Sequence, residues 1–124
     1  MQRKTIEYLE ITVLIALGGF AGSNIRYLLG SAIPGTKSTL IINGIGSFLL
    51  GFLLYESIHI GIISKKSKYA IGTGFLSSLT TYSTFAVQTF SFPSIALINI
   101  FFNYLIGFSG IFLGRYLALN IRRI

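Results

Sequence analysis

A chain of 124 residues that is 52% hydrophobic and 10% charged, with a mean hydropathy of +0.75, lies outside the range of soluble domains and reads as an integral membrane protein. Ten Lys and Arg against three Asp and Glu give a net charge of +7. The aromatics stand in apolar runs apart from the basic residues, which argues against a nucleic-acid surface and makes orientation and anionic lipid the natural meaning of the charge.

With no cysteine and a single histidine, His59, a disulfide framework, a thiol site and a His-rich metal cluster are excluded. Residues 2–10 are polar, with Arg3 and Lys4 ahead of Glu7 and Glu10, and read as a short interfacial helix without a cleavable signal. The first span is expected over residues 11–29, close to the roughly 20 residues that a hydrocarbon core requires. Gly18 and Gly22 stand four apart on one of its faces, a ridge over which another helix can pass closely. Gly30, Pro34 and Gly35 then mark a loop.

The second span is expected over residues 39–59 and holds Asn43, Gly44, Gly46, Ser47 and Gly51. Lys65, Lys66 and Lys68 form a basic turn after it. A third span over residues 69–92 is closed by Pro93, and a fourth, over 94–117, carries Gly107, Gly110 and Gly114 for close packing. The fold class expected is therefore all-α: four transmembrane helices in a single domain covering residues 1–124. With four spans, both termini share a side with the basic turn, and that side collects Arg3, Lys4, Lys65, Lys66, Lys68, Arg115, Arg122 and Arg123 against Lys37 and Arg26 opposite. The positive-inside rule puts both termini in the cytoplasm of a cell-membrane protein.

Within the third span, Ser77, Ser78, Thr80, Thr81, Ser83 and Thr84 crowd into one short run beside Tyr82 and Phe85. Each hydroxyl alone can bond back to a carbonyl one turn earlier and leave the helix intact. So many together favour a break, which frees carbonyls for a cation and amides for an anion and is tolerated at membrane depth only when covered by protein or facing a cavity. Asn43 is either a helix-to-helix hydrogen bond or a donor to an anion, and Arg26 either snorkels to the interface or lines a pore. Tyr104, well inside the fourth span, favours a buried hydroxyl. No Asp or Glu lies mid-span, which removes the carboxylate a proton relay needs, and no nucleophile, base and orienting acid are arranged for catalysis, so an enzyme is not expected.

The runs GGFAGSNIRYLLG (18–30), TLIINGIGSFLLGFL (39–53) and GTGFLSSLTTYSTF (72–85) together resemble the Fluc (CrcB) family of small fluoride channels. The resemblance implies a passive, fluoride-selective channel that lowers cytoplasmic fluoride and confers fluoride resistance. It implies an antiparallel dimer with two pores and a structural sodium ion at the dimer centre, held by the backbone carbonyls of Ser77 and Thr80. It places Tyr82 and Phe85 at aromatic positions whose ring edges face fluoride, Asn43 as the pore amide, Ser83 and Thr84 in a hydroxyl-lined path, and Tyr104 beside them. Such a pore is physically sensible: an amide, hydroxyls and positive ring edges can replace the water of a strongly hydrated anion without a full charge that would trap it.

The chain departs from the usual GGLTTFSTF pattern at Ser77, Ser78 and Tyr82. Its Lys and Arg bias also conflicts with one sequence inserting both ways, so the second subunit is expected to be either this chain itself or a related paralogue of opposite bias. The alternatives are a small four-span multidrug-type cation exporter, against which the missing mid-span carboxylate speaks, and a non-conducting assembly factor, which leaves the polar break without a purpose.

Overall fold

The structure is a computed structural model describing residues 2–122; Met1, Arg123 and Ile124 lie outside the described residues, and the Arg123 charge invoked for orientation lies there too. Every regular element among the described residues is helical. Helix α1, Gln2–Ala32, runs unbroken through the polar stretch read from the sequence as a short interfacial helix. No glycine or proline interrupts residues 2–17, and Gln, Arg, Lys and Glu favour the helix, so the polar start simply continues it. At about 1.5 Å per residue such a helix is roughly 46 Å long, well beyond a hydrocarbon core.

Gly35, at φ 80°, turns the chain into α2, Thr36–His59, and Gly61, at φ 75°, turns it out again. Both conformations lie in the left-handed region open to glycine. The second turn is pinned by Glu56, which is only 2% exposed. Its carbonyl accepts from the amides of Ile60 and Gly61 at 3.0 and 2.8 Å. Its carboxylate accepts from the Ile63 amide at 2.7 Å and pairs with Lys68 at 3.3 Å. The basic turn is a one-turn helix, α3, Lys65–Lys68, capped by the Ser64 hydroxyl.

A π-helix, Tyr69–Leu76, follows directly. It leads into α4, Ser77–Leu79, whose end is the break, and α5, Tyr82–Ser91, resumes beyond it. A single 3₁₀ turn, Pro93–Ile95, leads into α6, Ala96–Arg122. Three stretches are long and apolar enough to cross a membrane, Gln2–Ala32, Thr36–His59 and Pro93–Ile121. The segment between α3 and the 3₁₀ turn is too divided to form a fourth by length.

Two pairings organise these elements, α2 with α6 and α1 with the π-helix and α4. A Cβ on Gly114 of α6 would fall on the Phe48 carbonyl oxygen, and one on Gly51 of α2 on the backbone of Ile111. Across the other pair, a Cβ on Gly18 would fall on the Ala70 carbonyl and one on Gly22 on the Phe75 carbonyl. Small residues thus set both spacings, because only hydrogen at these positions lets two backbones touch. The central cluster is compact, Ile42, Leu53, Leu76 and Leu79 with Leu29 and Phe75 against them. Phe20, Tyr27, Phe90 and Leu97 project outward instead, as lipid-facing or subunit-facing side chains do.

Candidate functional site

The break has an identifiable local cause. Thr80 and Thr81 are both extended, at φ −72°, ψ 156° and φ −148°, ψ 120°, and Asn43 of α2 clamps the second of them. The Asn43 Oδ1 accepts from the Thr81 amide at 2.9 Å, and its Nδ2 donates to the Thr81 carbonyl at 3.1 Å. The Thr81 hydroxyl then caps α5 by accepting from the Thr84 amide at 3.2 Å. In a continuous helix those two amides would bond the carbonyls of Ser77 and Thr80. Here both are taken elsewhere, so these two carbonyls lose their normal donors. The Thr80 amide and hydroxyl still bond the Leu76 carbonyl, at 3.1 and 2.9 Å, which ties the last turn of α4 down. Gly46 lets α2 pass the break, since a Cβ there would meet the Thr80 methyl.

Against this break lies a half-open cavity of about 360 Å³ whose lining includes Asn43, Ser77, Thr80, Tyr82, Phe85 and Tyr104. Six of the eight residues given a pore or sodium role from the sequence therefore converge on one space, from α2, both sides of the break, and α6, and Thr81 of the polar run joins them. Ser83 and Thr84 do not line it: the Thr84 hydroxyl accepts from that of Thr81 at 3.0 Å, and the Ser83 hydroxyl lies 3.4 Å from the same group. Both face outward from the first turn of α5.

Phe85 is the buried aromatic, 8% exposed. Tyr104 meets it edge to face, centroids 6.4 Å apart at 87°, and Tyr82 lies tilted at 5.7 Å. Tyr82 and Tyr104 are 73% and 53% exposed, so neither has the buried hydroxyl that the position of Tyr104 in its span suggested. The open side of the cavity is where they stand. Arg26 is half-buried and its Nη1 reaches the Thr80 carbonyl at 3.5 Å, while its side chain is not among those lining the cavity.

Chemically the space offers amide and hydroxyl donors and positive ring edges to an anion, with carbonyl oxygens at the break for a cation. No group of three His, Cys, Asp or Glu able to hold a metal occurs among the described residues. A cation here would have to be a hard ion bound by neutral oxygens, and the carbonyls of Ser77 and Thr80 are of that kind.

Asn99 and Asn103, one turn apart on α6, were not singled out in the sequence. Asn103 lines the cavity. Its Oδ1 faces the Asn43 Nδ2 at 3.5 Å, while its own Nδ2 donates to the Asn99 Oδ1 at 2.9 Å. Two amides four residues apart in an otherwise apolar span are a legible signal, since they share a helix face and neither is tolerated toward lipid.

The family described as CrcB-like protein, Camphor Resistance (CrcB), matches residues 13–115. The chain is 50% identical over 106 residues to a protein of Haloarcula marismortui named Fluoride-specific ion channel FluC 1, covering 86% of this chain and 84% of that one. It is 48% identical over 103 residues to Fluoride-specific ion channel FluC 2 of Methanosarcina acetivorans, covering 82% of each. With Fluoride-specific ion channel FluC of Methanocaldococcus jannaschii it shares 42% over 120 residues, covering 90% of this chain and 96% of the other.

Proposed function

The chain belongs to the CrcB family, and from that premise we propose that it is a passive, fluoride-selective membrane channel, which lowers cytoplasmic fluoride by letting the anion leave down its gradient. It is a multi-pass membrane protein and not an enzyme. The observation that carries the reading is the convergence of the Asn43 amide, the buried Phe85 ring and the broken backbone at Thr80 and Thr81 on one cavity. Neutral donors around a narrow space can exchange for fluoride's water while holding the ion weakly enough to release it.

In this reading the divided segment from α3 to α5 is the third of four spans, with both termini in the cytoplasm of a plasma-membrane protein. Tyr82 and Tyr104, exposed on the open side of the cavity, are covered by a second subunit in an antiparallel dimer. A structural sodium ion at the dimer centre fits the carbonyls of Ser77 and Thr80, because a hard monovalent cation prefers neutral oxygens. Both have lost their helical donors, and among the described residues only Thr80 is reached by another group, the Arg26 Nη1 at 3.5 Å. The charge of the sodium ion would offset part of the cost of taking an anion out of water. The charge bias of the termini supports a related paralogue as the partner. A cation exporter finds no support at the site: the buried carboxylate of Glu56 lies at the end of α2, already bonded by Ile63 and Lys68.

The test is fluoride efflux from loaded liposomes, followed with a fluoride-selective electrode, with this chain alone and with its paralogue. Release well above that of empty vesicles in either preparation is expected, and release equal to empty vesicles in both removes the channel reading. Fluoride flux from this chain alone, inserted in both orientations, would replace the paralogue with a homodimer.

A further inference from the structure

The cavity amide Asn43 is the near end of a chain of side-chain hydrogen bonds that runs through Asn103 and Asn99 to Thr89 and joins three helices. From the far end, the Thr89 hydroxyl donates its proton to the Phe85 carbonyl at 2.8 Å, which leaves its oxygen as an acceptor. Asn99, 7% exposed, must therefore turn its NH2 to Thr89, at 2.9 Å, and its Oδ1 the other way. That oxygen, together with the Asn99 carbonyl, receives the Asn103 Nδ2 at 2.9 and 3.0 Å. Asn103 in turn must present its Oδ1 toward Asn43. From the near end, the Thr81 amide demands the Asn43 Oδ1, so the Asn43 NH2 is the group that meets Asn103.

Both ends impose the same polarity, and no amide in the series can flip without leaving a donor facing a donor or an acceptor facing an acceptor. One of the two Asn43 protons is held by the Thr81 carbonyl at 3.1 Å. The other has only the long 3.5 Å contact to Asn103, the weakest link of the series. That proton is the one an anion can take.

We propose that Asn99 is a positioning residue for ion passage: it keeps the Asn103 Oδ1, and not the Asn103 NH2, turned toward the second N–H of the Asn43 amide that Thr81 clamps, so that this N–H is offered to the cavity loosely bonded. Thr89 anchors Asn99 from α5. Removing Asn99 frees Asn103 to turn its own NH2 toward Asn43, and the second Asn43 N–H then faces a donor instead of an acceptor while its bonds to Thr81 stay in place. This inference rests on the reading of the cavity as a fluoride path, and the chain of bonds can be examined independently of flux.

Wild type, Asn99→Leu, Asn103→Leu, the double variant and Thr89→Val are reconstituted for fluoride efflux, with melting in detergent as the control for folding. Asn99→Leu is expected to lower flux about tenfold, the scale of one lost buried hydrogen bond, and Thr89→Val about threefold. The double variant should be no slower than Asn103→Leu alone, because Asn99 acts through Asn103. As these two side chains are bonded to each other, the cycle is repeated with Thr89→Val, whose hydroxyl bonds Asn99 and not Asn103 and whose loss would multiply with that of Asn103→Leu if it acted independently. Should Asn99→Leu fail to fold, Thr89→Val combined with Asn103→Leu supplies the same cycle. In parallel, ¹⁵N-labelled asparagine side chains are observed in fluoride-free buffer, where the Asn43 amide signals should move in both Asn99→Leu and Thr89→Val. Absence of flux from wild type sinks the channel reading and with it the role in ion passage. Unmoved Asn43 signals, multiplicative losses, or flux from Asn99→Leu within about twofold of wild type overturn the positioning role of Asn99 itself.

Discussion

The two helix pairings use the same device and end differently. In the α2–α6 pair, Gly51 and Gly114 bring two regular helices into backbone contact, and both continue undisturbed for their full length. In the other pair, Gly18 and Gly22 of α1 bring in a partner that starts as a π-helix, tightens for three residues and then opens at Thr80. Close packing is thus compatible with either outcome. What separates them is competition for the backbone amides. On α6 nothing offers the amides a better acceptor than the carbonyl four residues back, whereas at Thr81 the Asn43 Oδ1 does, and at Thr84 the Thr81 hydroxyl does.

The sharpest way to break this contrast is Asn43→Leu, which leaves Thr81 with neither partner. Fluoride flux should fall about a hundredfold, the scale of losing a preorganised donor, and the Thr81 amide should exchange with deuterium faster. Retained flux would mean that the clamp is not needed for the path.

Next in size, Gly22→Val and Gly114→Val each force a side chain onto a carbonyl oxygen, and each should destabilise the fold by about 1–3 kcal/mol, read as melting in detergent. Equal losses would show that the broken pair is as tightly packed as the regular one. A negligible loss at Gly22 alone would show that the divided segment yields where a continuous helix cannot.

Phe85→Ile keeps the volume of the buried ring nearly constant while removing its polarised edge. Flux is expected to fall about tenfold with little change in melting, since edge contacts of this kind contribute roughly 1 kcal/mol. Equal flux would assign Phe85 to packing alone. At the small end, Lys66→Ala removes an exposed pair with Glu10 and should alter stability by less than about 0.5 kcal/mol. A larger change would mean that the α1–α3 contact contributes to holding the π-helix in place.

Much of this was legible in advance because it depends on local chemistry. The polar run at Ser77 to Thr84 announced a break, the glycine pairs announced close crossings, and Asn43, Phe85, Tyr82 and Tyr104 were recognisable from their surroundings and from a resemblance to one family. Ser83 and Thr84 shared the same composition as the residues that line the cavity, yet α5 turns them outward, and composition cannot distinguish the two sides of a helix that restarts in a new direction. The π-helix was also invisible. Ser77 bonds Gly72 with both its amide and its hydroxyl, but the same glycines in an apolar run equally suit an ordinary α-helix.

Membrane insertion, the all-helical class and the candidate polar segment were therefore determined by the sequence itself, since apolar runs and backbone hydrogen bonding permit few alternatives in lipid. Which hydroxyls reach the cavity, which carbonyls are released, and how Asn99 reaches Asn43 through Asn103 were decided only in three dimensions. A hydrogen bond between residues far apart in the chain has no local signature, and its direction is set by the partners at both ends.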